Sequence, residues 1–251
     1  CTGYGAPGPY AGLQAYDDLV QAATGAASLL GRADGDERPR YVPTLIADKT
    51  AALHAVYATL AALFQRQVTG QGQYVDVPMF EAFASWHLLE NLFGLTWEEC
   101  AGPTGYPRTV SPYRRPYRTA DGYLAILPYA DAHWRAFFEV AGRTDLLEDP
   151  RFADYRSRSE HIDALYAELD AIAPTRTSGE WLEALQMANV PCMPVHDLDQ
   201  VLEDPHLAGT GFFERRAHPA GGTYRAMRPP VRFAAAPTGV RRDPPRLGEH
   251  T

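Results

Sequence analysis

Pro43-Thr44-Leu45-Ile46-Ala47-Asp48-Lys49-Thr50 sets one carboxylate, Asp48, between a short extended run and a long apolar helix. Thr44-Leu45-Ile46 reads as a buried strand or loop. From Lys49 onward the chain carries no Gly or Pro until Gly70. Leu53, Val56, Tyr57, Leu60, Leu63 and Phe64 recur at helical spacing. Alanines fill most other faces, which predicts a helix buried nearly all round. Asp at a helix boundary is first of all an N-cap. The N–H groups and dipole of a helix N-terminus also favour negative charge, and a carboxylate presented on a rigid element is a potential covalent nucleophile. The two roles are compatible.

Working outward, Gln14-Ala15-Tyr16-Asp17-Asp18 opens a second helix reaching about Leu30. Two acids suit its first turn, and Gly31 its end. Tyr16 is either a core aromatic or a pocket hydroxyl facing Asp48. The first twelve residues are rich in Gly and Pro, but no strand precedes them, so a phosphate-cradling loop is not indicated. Beyond Gly70, Tyr74-Val75-Asp76-Val77 reads as a strand, and Pro78 to Phe93 as a helix with Pro in its first turn. Helix, extended run, helix, strand and helix in this order predict an α/β layer with a parallel sheet.

The composition changes after Trp97. Residues to Arg118 read as a linker carrying a basic cluster, Arg114, Arg115 and Arg118. These are either solvated linker charges or, through the guanidinium fork, contacts to ligand phosphates. Tyr117-Arg118-Thr119 and Tyr123 to Leu127 form a hairpin turning on Asp121-Gly122. Helices follow over 131–140, 159–172 and 178–188, the last capped at Thr177 or Ser178. Then come a short extended piece, 190–195, and a helix over 198–207. Phe212-Phe213-Glu214 and Val231-Arg232-Phe233 read as strands separated by Gly221-Gly222.

The 251 residues carry a net charge of -8, which argues against a nucleic-acid partner. No apolar run is long enough and free enough of charge to span a bilayer, and the chain opens on Cys1 without a leader pattern. The three cysteines, Cys1, Cys100 and Cys192, are far apart and odd in number, which fits a reducing cytoplasm and gives no metal spacing. Twenty-one Gly and twenty-one Pro imply mixed α and β structure.

Several segments, taken in order, resemble the class III coenzyme A transferases, the formyl-CoA/carnitine-CoA family. They are Gly3-Tyr4-Gly5 with Gly8-Pro9-Tyr10; Ala15-Tyr16-Asp17 with Gln21-Ala22 and Gly25; Ile46-Ala47-Asp48; Thr69-Gly70-Gln71-Gly72-Gln73 with Val75-Asp76-Val77; Tyr117-Arg118-Thr119 with Asp121-Gly122; and Leu247-Gly248-Glu249-His250-Thr251. The resemblance implies an α/β fold with a Rossmann-like large domain and a smaller α+β domain, in subunits interlocked as a homodimer. It places 1–98 and 208–251 in the large domain, and the linker and small domain at 99–207. It implies that residues before Cys1 and a short helix after Thr251 complete the protein, and that this piece alone is inactive if nothing else supplies them.

The family's catalytic aspartate falls on Asp48, and its coenzyme-contacting turn on Gln14, Tyr16 and Asp17. Arg114 and Arg115 are added as candidate phosphate contacts. Acyl-CoA and a small carboxylic acid are the implied partners; no metal and no permanently bound cofactor are implied. Backbone amides near Lys49 and Thr50 are expected to help hold charge. The acyl-CoA racemases of the same family carry His-Asp where this chain has Tyr16-Asp17. A tyrosine, with a reference pKa of about 10, does not shuttle protons at neutral pH as histidine does. His54, almost two turns along, is badly placed to substitute. The pattern therefore favours transfer over racemisation. A truncated relative acting as an interaction module is the non-enzymatic alternative.

Overall fold

The helix that carries Asp48 begins at Ile46, one turn earlier than the Lys49 start expected, and everything nearby is arranged on its first turn. The computed structural model describes residues 1–36, 38–99 and 102–249. Cys100, His250 and Thr251 of the expectations above lie outside the described residues. The chain divides into two units, Cys1–Met193 and Pro194–Thr251.

In the first unit, α1 (Asp17–Ala23) and α2 (Ala26–Asp34) replace the single helix expected from Gln14 to Leu30. The break is at Gly25, whose φ of 87° is in the left-handed region that glycine tolerates. Helix α3 runs Ile46–Thr69 and stops at Gly70, φ 74°. Helix α4 (Met79–Asn91) follows Pro78. The intervening 74–77 segment is not a strand. A strand needs a neighbour for its N–H and C=O groups. Among the described residues only Thr2 comes alongside, in one parallel bridge to Pro78, with Thr2 N–H donating to Val77 O at 3.2 Å. The expected parallel sheet is not formed among the described residues.

Helix α3 also departs from expectation in its burial. Only Ala47, Thr50 and Ala51 are buried, whereas Leu53, Val56, Tyr57, Leu60, Phe64 and Val68 are open. Helices α1 and α4 pack on it and cover mainly its N-terminal end. The small core there joins Val20, Ala26, Ala47, Ala51, Met79 and Phe83.

The rest of the unit closes around its own core. A short helix, α5 (Pro107–Val110), interrupts the expected linker. Strands β1 (Tyr117–Arg118) and β2 (Tyr123–Ile126) pair antiparallel, Tyr117 opposite Leu124, so the Asp-Gly hairpin forms as expected. Helix α6 (Asp131–Ala141) follows, then α7 (Tyr155–Glu160) and α8 (Ile162–Ile172), split at His161 where one helix was expected. Helix α9 (Ser178–Met187) is capped at Thr177, one of the two positions expected, and the cap is a capping box: Thr177 Oγ1 accepts from Glu180 N–H and the Glu180 carboxylate accepts from Thr177 N–H. Strand β3 (Cys192–Pro194) completes the sheet order β1-β2-β3. Trp134, Phe137, Phe138, Leu165, Leu169, Trp181 and Leu185 are almost wholly buried together. The Trp181 indole stacks on Phe137 at 5.9 Å and its N–H donates to Ala173 O at 2.8 Å, so the polar edge of this large side chain is satisfied.

In the second unit, α10 (Leu198–Leu202) and α11 (Pro205–Gly209) replace the one helix expected over 198–207. Asp204 interrupts it by accepting from the His206 and Leu207 N–H groups, both at 2.9 Å. Strands β4 (Phe213–Ala217) and β5 (Thr223–Met227) form an antiparallel hairpin. The turn uses Gly221-Gly222 as expected, but the partner of Phe213 is Met227, and Val231–Phe233 is not a strand.

Candidate active site

Asp48 is the third residue of α3, not its N-cap. The N-cap position is Leu45, which has no side-chain oxygen to offer. The capping carboxylate comes instead from Asp17, thirty-one residues earlier. Asp17 Oδ2 accepts from Ala47 N–H at 2.8 Å and from Asp48 N–H at 3.0 Å. The orphan donors at a helix start are thus filled from another helix. Ile46 N–H reaches Thr44 O at 2.8 Å and Lys49 N–H reaches Leu45 O at 3.2 Å. Thr50 turns its hydroxyl onto Ile46 O at 2.7 Å. The amides expected to hold charge near Lys49 therefore already have partners.

Asp17 is buried, and it is held in turn. Its Oδ1 accepts from Gln21 Nε2 at 2.5 Å, one helical turn along α1. Gln21, with no exposed surface, accepts from Val42 N–H at 2.9 Å through Oε1 and donates to Thr44 O at 3.5 Å. Two buried side chains on one face of α1 therefore pin the whole 42–48 approach to α3. Gln21 was not among the expected site residues. Its signal was the Asp17/Gln21 spacing of four, which puts two polar groups on the face that also carries Val20 and Thr24.

The Asp48 side chain itself is exposed, and its carboxylate has no hydrogen-bond or ion-pair partner among the described residues. Lys49 does not reach it; its Nζ donates to Thr44 Oγ1 at 2.5 Å. His54 is likewise engaged, Nδ1 lying 2.9 Å from Thr50 O. Tyr16 is 64% exposed and Gln14 is exposed, both on the turn leading into α1. No hydrogen bond joins Tyr16 to Asp48 among the described residues. The structure thus brings Asp17 against the Asp48 backbone and places Gln14 and Tyr16 on the adjoining turn.

Arg114 and Arg115 stand apart from this group. They border a cavity of about 260 Å³ floored by Tyr117, Ile126, Leu127 and Tyr166. Arg115 pairs with Asp170 at 2.9 Å. Burial pushes the Tyr117 hydroxyl far up, Tyr166 and Asp170 adding to the shift and the two arginines opposing it. A larger cavity, about 420 Å³ and lined by Arg32, Thr104, His161 and Asp163 among others, touches none of the candidate residues. Among the described residues no group of three His, Cys, Asp or Glu is placed to hold a metal, and no helix is long and apolar enough to cross a membrane.

A mixed α/β fold with an unpaired carboxylate on the first turn of a long helix meets the sequence pattern at this point, and the chain belongs to CoA-transferase family III, whose profile matches residues 1–251. Rv3272 of Mycobacterium tuberculosis, described as a probable fatty acyl-CoA transferase, is 29% identical over 99% of this chain and 65% of its own length. Its crystal structure in an orthorhombic form superposes with a TM-score of 0.81 at 30% identity, over 99% of this chain and 65% of that one. The formyl-CoA:oxalate CoA-transferase of Rhodopseudomonas palustris strain BisA53 is 26% identical over 99% of the chain and 63% of its length. The chain therefore spans a little under two thirds of the length of these relatives.

Proposed function

We propose that the complete protein transfers coenzyme A from an acyl-CoA donor to a carboxylic acid acceptor, with Asp48 as the nucleophile. The Asp48 carboxylate attacks the thioester carbonyl and expels the coenzyme A thiolate, leaving a mixed anhydride. The thiolate attacks the Asp48 carbonyl of that anhydride, releasing the donor acid and forming an aspartyl-CoA thioester. The acceptor carboxylate attacks this thioester and frees the thiolate again. The thiolate then attacks the acceptor carbonyl of the new anhydride, giving the new acyl-CoA and restoring Asp48. Every step is an acyl transfer; protein groups have only to align reactants and stabilise oxyanions. Coenzyme A enters as substrate, so the reaction calls for no resident cofactor.

The observation that carries this reading is the Asp48 carboxylate: exposed, without a partner among the described residues, and fixed through its own backbone N–H to a buried anchor. The match to CoA-transferase family III and the relative named as a formyl-CoA:oxalate CoA-transferase support the reaction class. Gln14, Tyr16 and the Asp17 turn take the coenzyme in this reading, Asp17 through its backbone, with Arg114 and Arg115 as phosphate contacts. A cytoplasmic, interlocked homodimer goes with it, with a Rossmann-like large domain from 1–98 and 208–251 and a small domain within 99–207.

In the complete protein, Asp48→Asn should lower transfer by at least about 10⁴-fold with an unchanged circular dichroism spectrum. Retained turnover would refute the assignment. Exchange of the α-proton of a 2-methylacyl-CoA in deuterated water would show a racemase instead.

A further inference from the structure

We propose that Asp17 is the positioning residue of the Asp48 nucleophile and that Gln21 holds Asp17 in place. This inference rests on the reading of Asp48 given above. A buried carboxylate is costly unless its oxygens are hydrogen-bonded, and the Asp17 carboxylate accepts three hydrogen bonds. Two come from the N–H groups of Ala47 and Asp48 and the third from Gln21 Nε2. Gln21 spends its carbonyl oxygen on Val42 N–H and its amide also on Thr44 O. The pair therefore grips the approach segment at 42 and 44 and the helix at 47 and 48. Leu45 at the N-cap position supplies no cap of its own, so no local group substitutes for Asp17.

One of the two helix amides belongs to the nucleophile itself. With that N–H anchored, the Asp48 carboxylate is aimed by its own side-chain torsions and little else. A displacement of about 1 Å at a reacting group costs on the order of a hundredfold in rate. There is also a consequence for the oxyanion. Asp17 already occupies the N–H groups of Ala47 and Asp48, so donors to a developing oxyanion have to come from other groups.

The experiment uses the complete protein and follows kcat, the acyl-CoA KM and the amount of covalent adduct trapped on Asp48. Asp17→Ala removes both amide bonds. It should lower kcat about a hundredfold and the trapped adduct in step, with KM within about twofold. Asp17→Asn keeps one oxygen for the two amides and sets its NH₂ against Gln21. It should recover much of the loss, to within about tenfold of wild type. Gln21→Leu, similar in size but unable to hold either Asp17 or Val42, should fall between the two and serves where Asp17→Ala does not fold.

A kcat per folded molecule equal to wild type in all three variants, with only the melting temperature lowered, would reduce Asp17 to a structural cap and overturn the proposal. A raised KM with unchanged kcat would make Asp17 a substrate contact and overturn it too. An Asp48→Asn protein that still turns over identifies the other failure, that of the nucleophile assignment itself.

Discussion

Two parts of the first unit use similar apolar content to opposite effect. Between Tyr117 and Val190, α6, α8, α9 and the hairpin bury Trp134, Phe137, Phe138, Leu165 and Trp181 against one another. Along α3, the equally apolar Leu53, Val56, Tyr57, Leu60 and Phe64 stand open, Phe64 at 72% exposure. The first region is a closed core built from residues near in sequence. The second is a helix anchored at one end, by Asp17 and a small cluster, with its apolar length uncovered among the described residues. The candidate nucleophile sits at the anchored end. An apolar stripe in a sequence says that a face is fit for burial; it does not say by what.

The contrast can be broken most sharply at Trp181. Trp181→Ala in the closed core should cost about 3–5 kcal/mol, read as a shift in the urea midpoint. A cost near that of a surface substitution would show that the core is not closed. The next test compares the chain with the complete protein. Phe64→Ala should cost less than about 0.5 kcal/mol in the 251-residue chain and about 3 kcal/mol in the complete protein, where we expect α3 to be covered. Equal small costs in both would make the apolar face of α3 a true surface.

Alkaline pH should distinguish the two regions as well. Burial keeps the Tyr117 hydroxyl protonated in the folded state well above its ordinary range. The unfolded tyrosine ionises near pH 10, so the stabilising contribution is whole below that pH. It is lost as pH rises from there toward the folded-state value. Tyr117→Phe should flatten the fall of the urea midpoint above about pH 10; an unchanged slope would remove Tyr117 from the account. The smallest effect is expected at the α9 cap, where Thr177→Ala should cost about 1 kcal/mol by removing the oxygen that accepts from Glu180 N–H. Thermal unfolding would detect it, and no change would mean that water replaces the cap.

What the sequence made legible follows the same division. The hairpin turning on Asp121-Gly122, the helix from Asp131 and the cap at Thr177 are local patterns, and each forms where its residues indicate. Gly122 N–H bonds Thr119 Oγ1 within the turn, and Ser178 N–H bonds Asp121, so even the tie between hairpin and helix is made by the turn residues. The strand expected at 74–77 failed because a strand is defined by its neighbours. The cover expected around α3 failed because periodicity counts apolar residues without locating the other surface. At the site, Asp48 at a helix start was legible and its cap was not. A local pattern assigns a cap to the nearest polar residue, whereas here it comes from Asp17 on another helix. The breaks at Gly25, His161 and Asp204 were missed because apolar spacing continues across them while the backbone does not.

The account stands on covalent chemistry at Asp48. The direct measurement is to incubate the complete protein with an acyl-CoA, quench with borohydride or hydroxylamine, and locate the modified peptide by mass spectrometry. The account predicts modification of the peptide containing Ile46-Ala47-Asp48, dependent on acyl-CoA and absent from Asp48→Asn. Turnover with the label on another residue, or with no label at all, would contradict it.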